Sequence, residues 1–217
     1  MRGHGPLPRL RGAVRGVVRG GLETLDVIVA RDPSVGRRSE ALLHPTALVL
    51  AGHRVGNALY RSGCYRSART VSMIAKVVTG GVEIHPGAQI GRRFFIDHGG
   101  GTVIGETAVI GDDVSLFHQV TLGSLGWWND RRREPGERRH PRLGNGVTVG
   151  AAATLLGPIT IGDDALIGAT ALVMTDVPKG GRALAPQAVL DHEMPTAPET
   201  YEQTYEMPTA AEGNGAQ

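Results

Sequence analysis

Aliphatic residues recur at every sixth position through much of this 217-residue chain, and few folds accept such a beat. Ile84, Ile90 and Ile96 keep it; after a two-residue slip it runs through Ile104, Ile110, Leu116 and Leu122. A longer interruption follows, and it returns at Leu143, Val149, Leu155, Ile161, Ile167 and Val173. An amphipathic helix brings its apolar face round after three and four residues, so it does not fit a period of six. A β-helix of hexapeptide repeats does: short strand, tight turn, and an inward aliphatic on each side of a three-sided coil. Gly91, Gly105, Gly111, Gly123, Gly144, Gly150, Gly162 and Gly168 each follow a beat residue, where turns or close coil stacking favour glycine. Coils of this kind stabilise one another through a continuous internal ladder. The beat predicts a mainly β domain over residues 81–182, with an excursion loop at 123–142.

The remaining segments read differently. Residues 22–80 carry helix formers at apolar spacing, punctuated by Pro33 and Pro45, and predict an N-terminal α-helical cap. Residues 1–21 are basic and lack acids, which fits a flexible arm. Residues 183–217 form an acidic tail containing "EMPTA" at 193–197 and again at 206–210; few aliphatics and one-sided charge predict disorder. A net charge of +2 gives no argument for nucleic acid. Cys64 is the only cysteine, so an internal disulfide is excluded and a reducing compartment fits; its predicted helical setting makes it a packed thiol. No apolar run approaches the ~20 residues that span a bilayer, so a cytoplasmic protein without membrane contact is expected.

The beat breaks once in a telling way, within "FFIDHGGGTVIGETAVIGDD" at residues 94–113. Where Gly should follow Ile96, the chain reads Asp97-His98 and then three glycines. Departures from a locally consistent pattern cost stability and concentrate at functional sites. An Asp-His pair could also simply cap a bulge at the register slip. An imidazole with an ordinary pKa near ~6.5 is suited to accept a proton at cellular pH, and a carboxylate on its other nitrogen fixes the tautomer. Glu83 lies fifteen residues before His98. That is a little under the roughly eighteen of one coil, which puts the two within reach around adjacent coils.

The run "TGGVEIHPGAQIGRRFFIDHGGGTVIGETAVIGDDVSLFHQVTLG", with "ARDPSV" before it and "RRHP" after it, resembles serine O-acetyltransferases over about residues 22 to 182. The resemblance implies a left-handed parallel β-helix and transfer of acetyl from acetyl-CoA to the L-serine hydroxyl. The product would be O-acetylserine for cysteine biosynthesis. It implies His98 as general base, oriented by Glu83. Asp32 and Asp97 would bind the amino acid, Arg139 its carboxylate, and His140 would help bind it and stabilise developing charge. Acetyl-CoA would be a co-substrate, with no permanently bound cofactor and no metal. A homotrimer with sites between neighbouring prisms is implied, and in many members a dimer of trimers.

Departures from the family pattern carry expectations of their own. Ser124 and Leu125 replace the inner pair of a Gly-Gly-Thr-Gly turn, and Ala152 and Thr170 stand where Gly is common. Ser124, Leu125, Ala151 and Ala169 remain the positions expected to flank the CoA arm. The long loop carries Trp127, Trp128 and an arginine cluster: it either covers the cleft and engages CoA phosphates or is a solvated charged loop whose tryptophans pack on a neighbouring prism. The chain ends in Gln217 where relatives end in Ile, so a complex with cysteine synthase through the C-terminus is not expected. His85 reads as a turn residue, His118 as a candidate for the acceptor site, and His44 and His53 as solvated or interfacial. Three rivals stand: another acceptor such as homoserine, a zinc enzyme like the γ-type carbonic anhydrases using His98 and His118, and a non-catalytic scaffold.

Overall fold

The structure, a computed structural model, describes residues 20–134 and 136–188. The basic arm and the repeated-pentapeptide tail lie outside the described residues. The chain divides into two compact units, residues 1–185 and 186–217, and the strands and helices of the described residues lie in the first.

Fourteen short strands wind into a left-handed parallel β-helix with three flat faces. The first face stacks β1 (Glu83–Ile84), β4 (Val103–Ile104), β7 (Thr121–Gly123), β10 (Thr154–Leu156) and β13 (Leu172–Val173). The second stacks β2 (Gln89–Ile90), β5 (Val109–Ile110), β8 (Arg142–Leu143) and β11 (Thr160–Ile161). The third stacks β3 (Phe95–Ile96), β6 (Ser115–Leu116), β9 (Thr148–Val149), β12 (Leu166–Ile167) and β14 (Arg182–Ala183). Every pairing is parallel, and each beat residue stands on its counterpart one coil away, as Ile96 on Leu116 and Leu116 on Val149.

The beat residues fill the prism: twelve of them are buried, and Ile90, near the open first coil, is half-buried. A second inward column went unread in the sequence. Val82, Ala88, Phe94, Ala108, Val114, Val120, Val147, Ala153, Ala165 and Ala171 lie two residues before beat positions and are also buried. Their mixed sizes, from Ala to Phe, hid the column from a search for aliphatics. The glycines mark where successive coils touch.

The cap has a helix described over residues 20–31 (α1), a short turn of helix α2 (Arg38–Ala41), and two longer helices, α3 (Pro45–Arg61) and α4 (Tyr65–Val78). Pro45 starts α3, where its missing N–H costs nothing, and the His44 imidazole accepts from the Thr46 amide to cap it. Side-chain bonds tie the cap to the prism. Thr46 Oγ1 donates to the Ile96 carbonyl at 2.6 Å, Ser72 Oγ to that of Ile84 at 2.7 Å, and Arg31 Nη1 to Ser115 Oγ at 3.0 Å. Of the solvated and interfacial settings expected for His44 and His53, the structure shows the interfacial one: His53 is buried, and His44 lies between Asp32 and the Phe95 ring. One expectation needs correction. Cys64 is exposed, because it precedes α4, whose buried positions, Ala68 and Ser72, lie further along the helix.

Candidate active site

The expected site residues occupy two different edges of the prism. One edge joins the third face to the first, at residues 97–102, 117–120, 150–153 and 168–171. Strand register aligns one residue per coil along it: His98, His118, Ala151 and Ala169. The amide of Ala152 donates to the His118 carbonyl at 3.0 Å, and that of Thr170 to the Ala151 carbonyl at 2.8 Å, so this edge is a continuous ladder. Its turns need left-handed backbone, and non-glycine residues supply it. His98 has φ 58°, Gln119 60°, Ala152 58° and Thr170 61°.

His98 is the most open of the candidates, its side chain 79% exposed. Asp97 Oδ1 lies 3.9 Å from His98 Nε2, too far for a hydrogen bond but close enough for electrostatic support. The His118 ring meets the His98 ring edge-on, with centroids 6.0 Å apart. Gly99, with φ 80°, completes the turn; a Cβ there would come within 2.7 Å of the Val82 side chain. Asp32 is held on the cap beside β3. Its Oδ1 accepts from the Ser34 hydroxyl at 2.6 Å and amide at 2.9 Å, and its Oδ2 lies 3.3 Å from His44 Nε2. The Ser34 hydroxyl, then its amide, hold the carboxyl below the usual carboxylate range.

Glu83 departs from expectation. Its carboxylate accepts from Lys76 Nζ at 2.6 Å, and among the described residues it makes no bond to His98. The reason is that α4 brings Lys76 directly over β1. Asp97 is the carboxylate the structure puts beside the imidazole.

The second edge joins the first face to the second, and the long loop leaves from it. His140 is buried with its Nδ1 accepting from the Thr107 amide at 3.2 Å and sharing a 2.9 Å contact with the Thr107 hydroxyl. The amide bond requires an unprotonated Nδ1 and so puts the proton on Nε2. Burial, then the Arg139 charge, lowers its pKa to about 4, so the ring is neutral at pH 7. Gly105 makes room for that ring: a Cβ there would lie 2.0 Å from His140 Cδ2. Arg139 is paired with Glu106 and, at 3.6 Å, with Asp130. Tyr60 Oη donates to Glu106 at 2.6 Å, and that bond raises the phenol to about 12. Burial pushes the Glu106 carboxyl up, but Tyr60 and Arg139 outweigh it and leave it low.

Ser124 and Leu125 begin the loop on this second edge, away from Ala151 and Ala169; Leu125 packs over Gly157. The loop turns through a short helix α5 (Trp127–Asp130), and Arg138 anchors its return by donating to the Pro158 and Ile159 carbonyls at 2.6 and 2.8 Å. Trp127 and Trp128 are exposed, with Arg131 lying 4.7 Å over the Trp127 ring. Glu106, Tyr60, Asp130 and Lys76, which set the charge around the site, were missed. Glu106 sits in an unbroken repeat, and the other three act across elements, so no local signal existed. Among the described residues no group of three or more His, Cys, Asp or Glu converges to hold a metal, and none of the helices is long and apolar enough to cross a membrane. His85 serves its turn, Nδ1 accepting from the Gly87 amide at 3.0 Å.

A hexapeptide prism with an open imidazole on one edge and a buried one on the next defines a class, the hexapeptide-repeat acyltransferases. Comparison with known proteins narrows it. No family model matches the chain. A serine acetyltransferase of Helicobacter pylori is 46% identical over 166 residues, covering 76% of this chain and 92% of the relative. The soybean serine acetyltransferase complexed with serine superposes with TM-score 0.71 at 37% identity, over 78% of this chain and 67% of that one. A serine acetyltransferase in complex with CoA superposes with TM-score 0.70 at 31% identity, over 80% and 69%. The chain belongs to the serine acetyltransferase family.

Proposed function

We propose that this protein transfers acetyl from acetyl-CoA to the hydroxyl of L-serine, giving O-acetylserine for cysteine biosynthesis in the cytoplasm. The observation that carries this reading is the 46% identity to the Helicobacter pylori serine acetyltransferase across nearly its whole length. The site chemistry agrees with it. His98 takes the proton of the serine hydroxyl as that oxygen attacks the thioester carbonyl. The C–S bond then breaks, and the CoA thiolate recovers the proton from the imidazolium. A thioester is already activated, so positioning and charge stabilisation are the main demands on the protein.

Asp97 supports the imidazolium as it forms. Asp32 and Asp97 supply negative charge for the serine ammonium, while the Arg139 fork suits its carboxylate. Asp130 is the more distant partner of Arg139 and the one an incoming carboxylate displaces. His140, neutral with its proton on Nε2, donates to the acceptor without a change of charge. Ala151 and Ala169, small and two and three coils beyond the base along the same edge, leave room for a pantetheine arm. Glu83 steadies the end of the His98 turn by donating its amide to the Thr102 carbonyl at 2.8 Å, while its carboxylate is held by Lys76.

The base and the carboxylate clamp stand on different edges, so one chain does not close a site. A homotrimer with parallel three-fold packing sets one edge of each prism against the other edge of its neighbour. That arrangement completes three equivalent sites. Ser124, Leu125 and the loop beyond them then face the donor channel of the adjacent prism.

The test is thiol release from acetyl-CoA by the purified protein, with L-serine and L-homoserine in parallel and a His98→Ala control. Turnover with serine that vanishes in the variant supports the reading. Preference for homoserine keeps the mechanism and changes the acceptor. Release that is independent of serine and of His98 overturns it.

A further inference from the structure

His118 lies in the slot that His98 occupies, one coil further along the same edge, followed by Ala151 and Ala169 in the next two coils. An acyl donor lying along the two alanines toward the base must pass over His118 before its thioester reaches His98. This placement follows from strand register and holds whatever the acceptor is.

The imidazole itself is half committed. His118 Nδ1 is sealed from solvent and has no hydrogen-bond partner among the described residues. An orphaned N–H in that position is costlier than an idle lone pair, so the favoured tautomer carries its proton on Nε2. The ring's contact with His98 is edge-on, at an interplanar angle of 75°. No protein group bonds Nε2 among the described residues, and it is not among the sealed polar atoms. The result is a fixed N–H donor on the donor side of the base, held by a ring whose other end is packed into the turn.

We propose that His118 Nε2–H donates to the thioester carbonyl oxygen of the acyl donor and stabilises the oxyanion formed when the acceptor hydroxyl adds. The proton stays on Nε2 throughout: the serine oxygen forms its bond to the carbonyl carbon, His98 holds the hydroxyl proton, and collapse of the adduct expels the thiolate, which takes that proton back. His118 thus adds a fixed dipole and no proton transfer, while His140 serves the acceptor from the opposite edge. This inference rests on the acetyl-transfer reading above.

The experiment compares wild type, His118→Ala, His118→Gln and His98→Ala in serine-dependent thiol release, with CoA binding by calorimetry and thermal midpoints alongside. The expected result is a kcat about 10²-fold lower in His118→Ala, the cost of one oxyanion donor. KM for serine and affinity for CoA stay within about threefold, and the kcat–pH profile keeps its shape. His118→Gln, whose amide can donate, regains part of the kcat and covers the case in which the alanine variant folds poorly. A kcat within about threefold of wild type in both His118 variants, while His98→Ala is inactive, overturns this inference alone. A loss confined to CoA affinity also overturns it, assigning His118 to binding. Wild type without serine-dependent release overturns the transfer reading and this inference with it.

Discussion

The edge that carries His98 and the edge that carries Arg139 and His140 are corners of the same prism, one face apart, and they are built in opposite ways. The first is made of short repeat turns whose backbone ladder is complete and whose functional side chains are open. His98 is exposed, and the His118 ring meets it edge-on. The second comes from a long excursion and is paired within itself, although Asp130 Oδ1 and Arg133 Nε, 3.6 Å apart, are buried without a hydrogen bond among the described residues. Arg139, Glu106, Tyr60 and Asp130 neutralise one another, and His140 is locked by Thr107. An open imidazole is free to meet a ligand and move a proton, as the proposed base must. Groups braced by neighbours hold a fixed geometry before a ligand arrives, as the proposed binding edge must.

Removing the base is the largest test of this contrast. His98→Ala should lower kcat by roughly 10³-fold or more with little change in the thermal midpoint, because the ring is 79% exposed and its one ring contact is edge-on with His118. Steady-state kinetics beside a melting curve checks both halves of the statement. A large fall in stability would mean that the open edge is structural.

Mixing two inactive variants probes whether the edges pair between chains. Co-refolded His98→Ala and Arg139→Ala should recover about a quarter of wild-type activity if each site takes one edge from each of two neighbours. Full independence of the chains predicts none.

The braced edge should fail structurally where the open one fails chemically. Gly105→Ala drives a Cβ into the His140 ring, and a clash of this kind costs about 1–3 kcal/mol. Its melting temperature should fall and its KM for serine rise, while affinity for CoA is retained.

Acid should reveal the buried histidines. Burial lowers both His53 and His140 to about 4. The unfolded chain takes up a proton on each near pH ~6.5, whereas the folded one holds it off, so stability declines as pH falls from there toward 4. Melting curves across that window should show the decline, and His53→Gln should flatten it.

The smallest effect belongs to the open edge. Ala152→Gly and Thr170→Gly relieve left-handed backbone at φ 58° and 61°, and should stabilise by up to ~1 kcal/mol each after the entropy of the added glycine is counted. A lower midpoint in either variant would show that those turns carry no strain.

Much of the prism was legible because its physics is local and periodic. Ile84, Leu116 and Ile167 each announce a side of a coil, and the break at Asp97-His98 announces the turn that departs from the rest. Glu83 was misread for the opposite reason: spacing put it near His98, but Lys76, seven residues earlier and on another element, claims its carboxylate. For His44 and His53 the sequence left solvated and interfacial settings open, because nothing local shows that β3 and the first coil lie against them. The second internal column, from Val82 to Ala171, escaped because close coil stacking, not residue type, sets what fits there.

By itself the sequence determined the repeat, the three-sided coil and the place where chemistry interrupts it, since a hydrophobic period dictates which side chains can share an interior. Only the tertiary structure decided how charges pair across elements and which residues share an edge. Those outcomes depend on the length of each turn and on where the cap helices land, so they exist only once the coils are stacked and the helices docked.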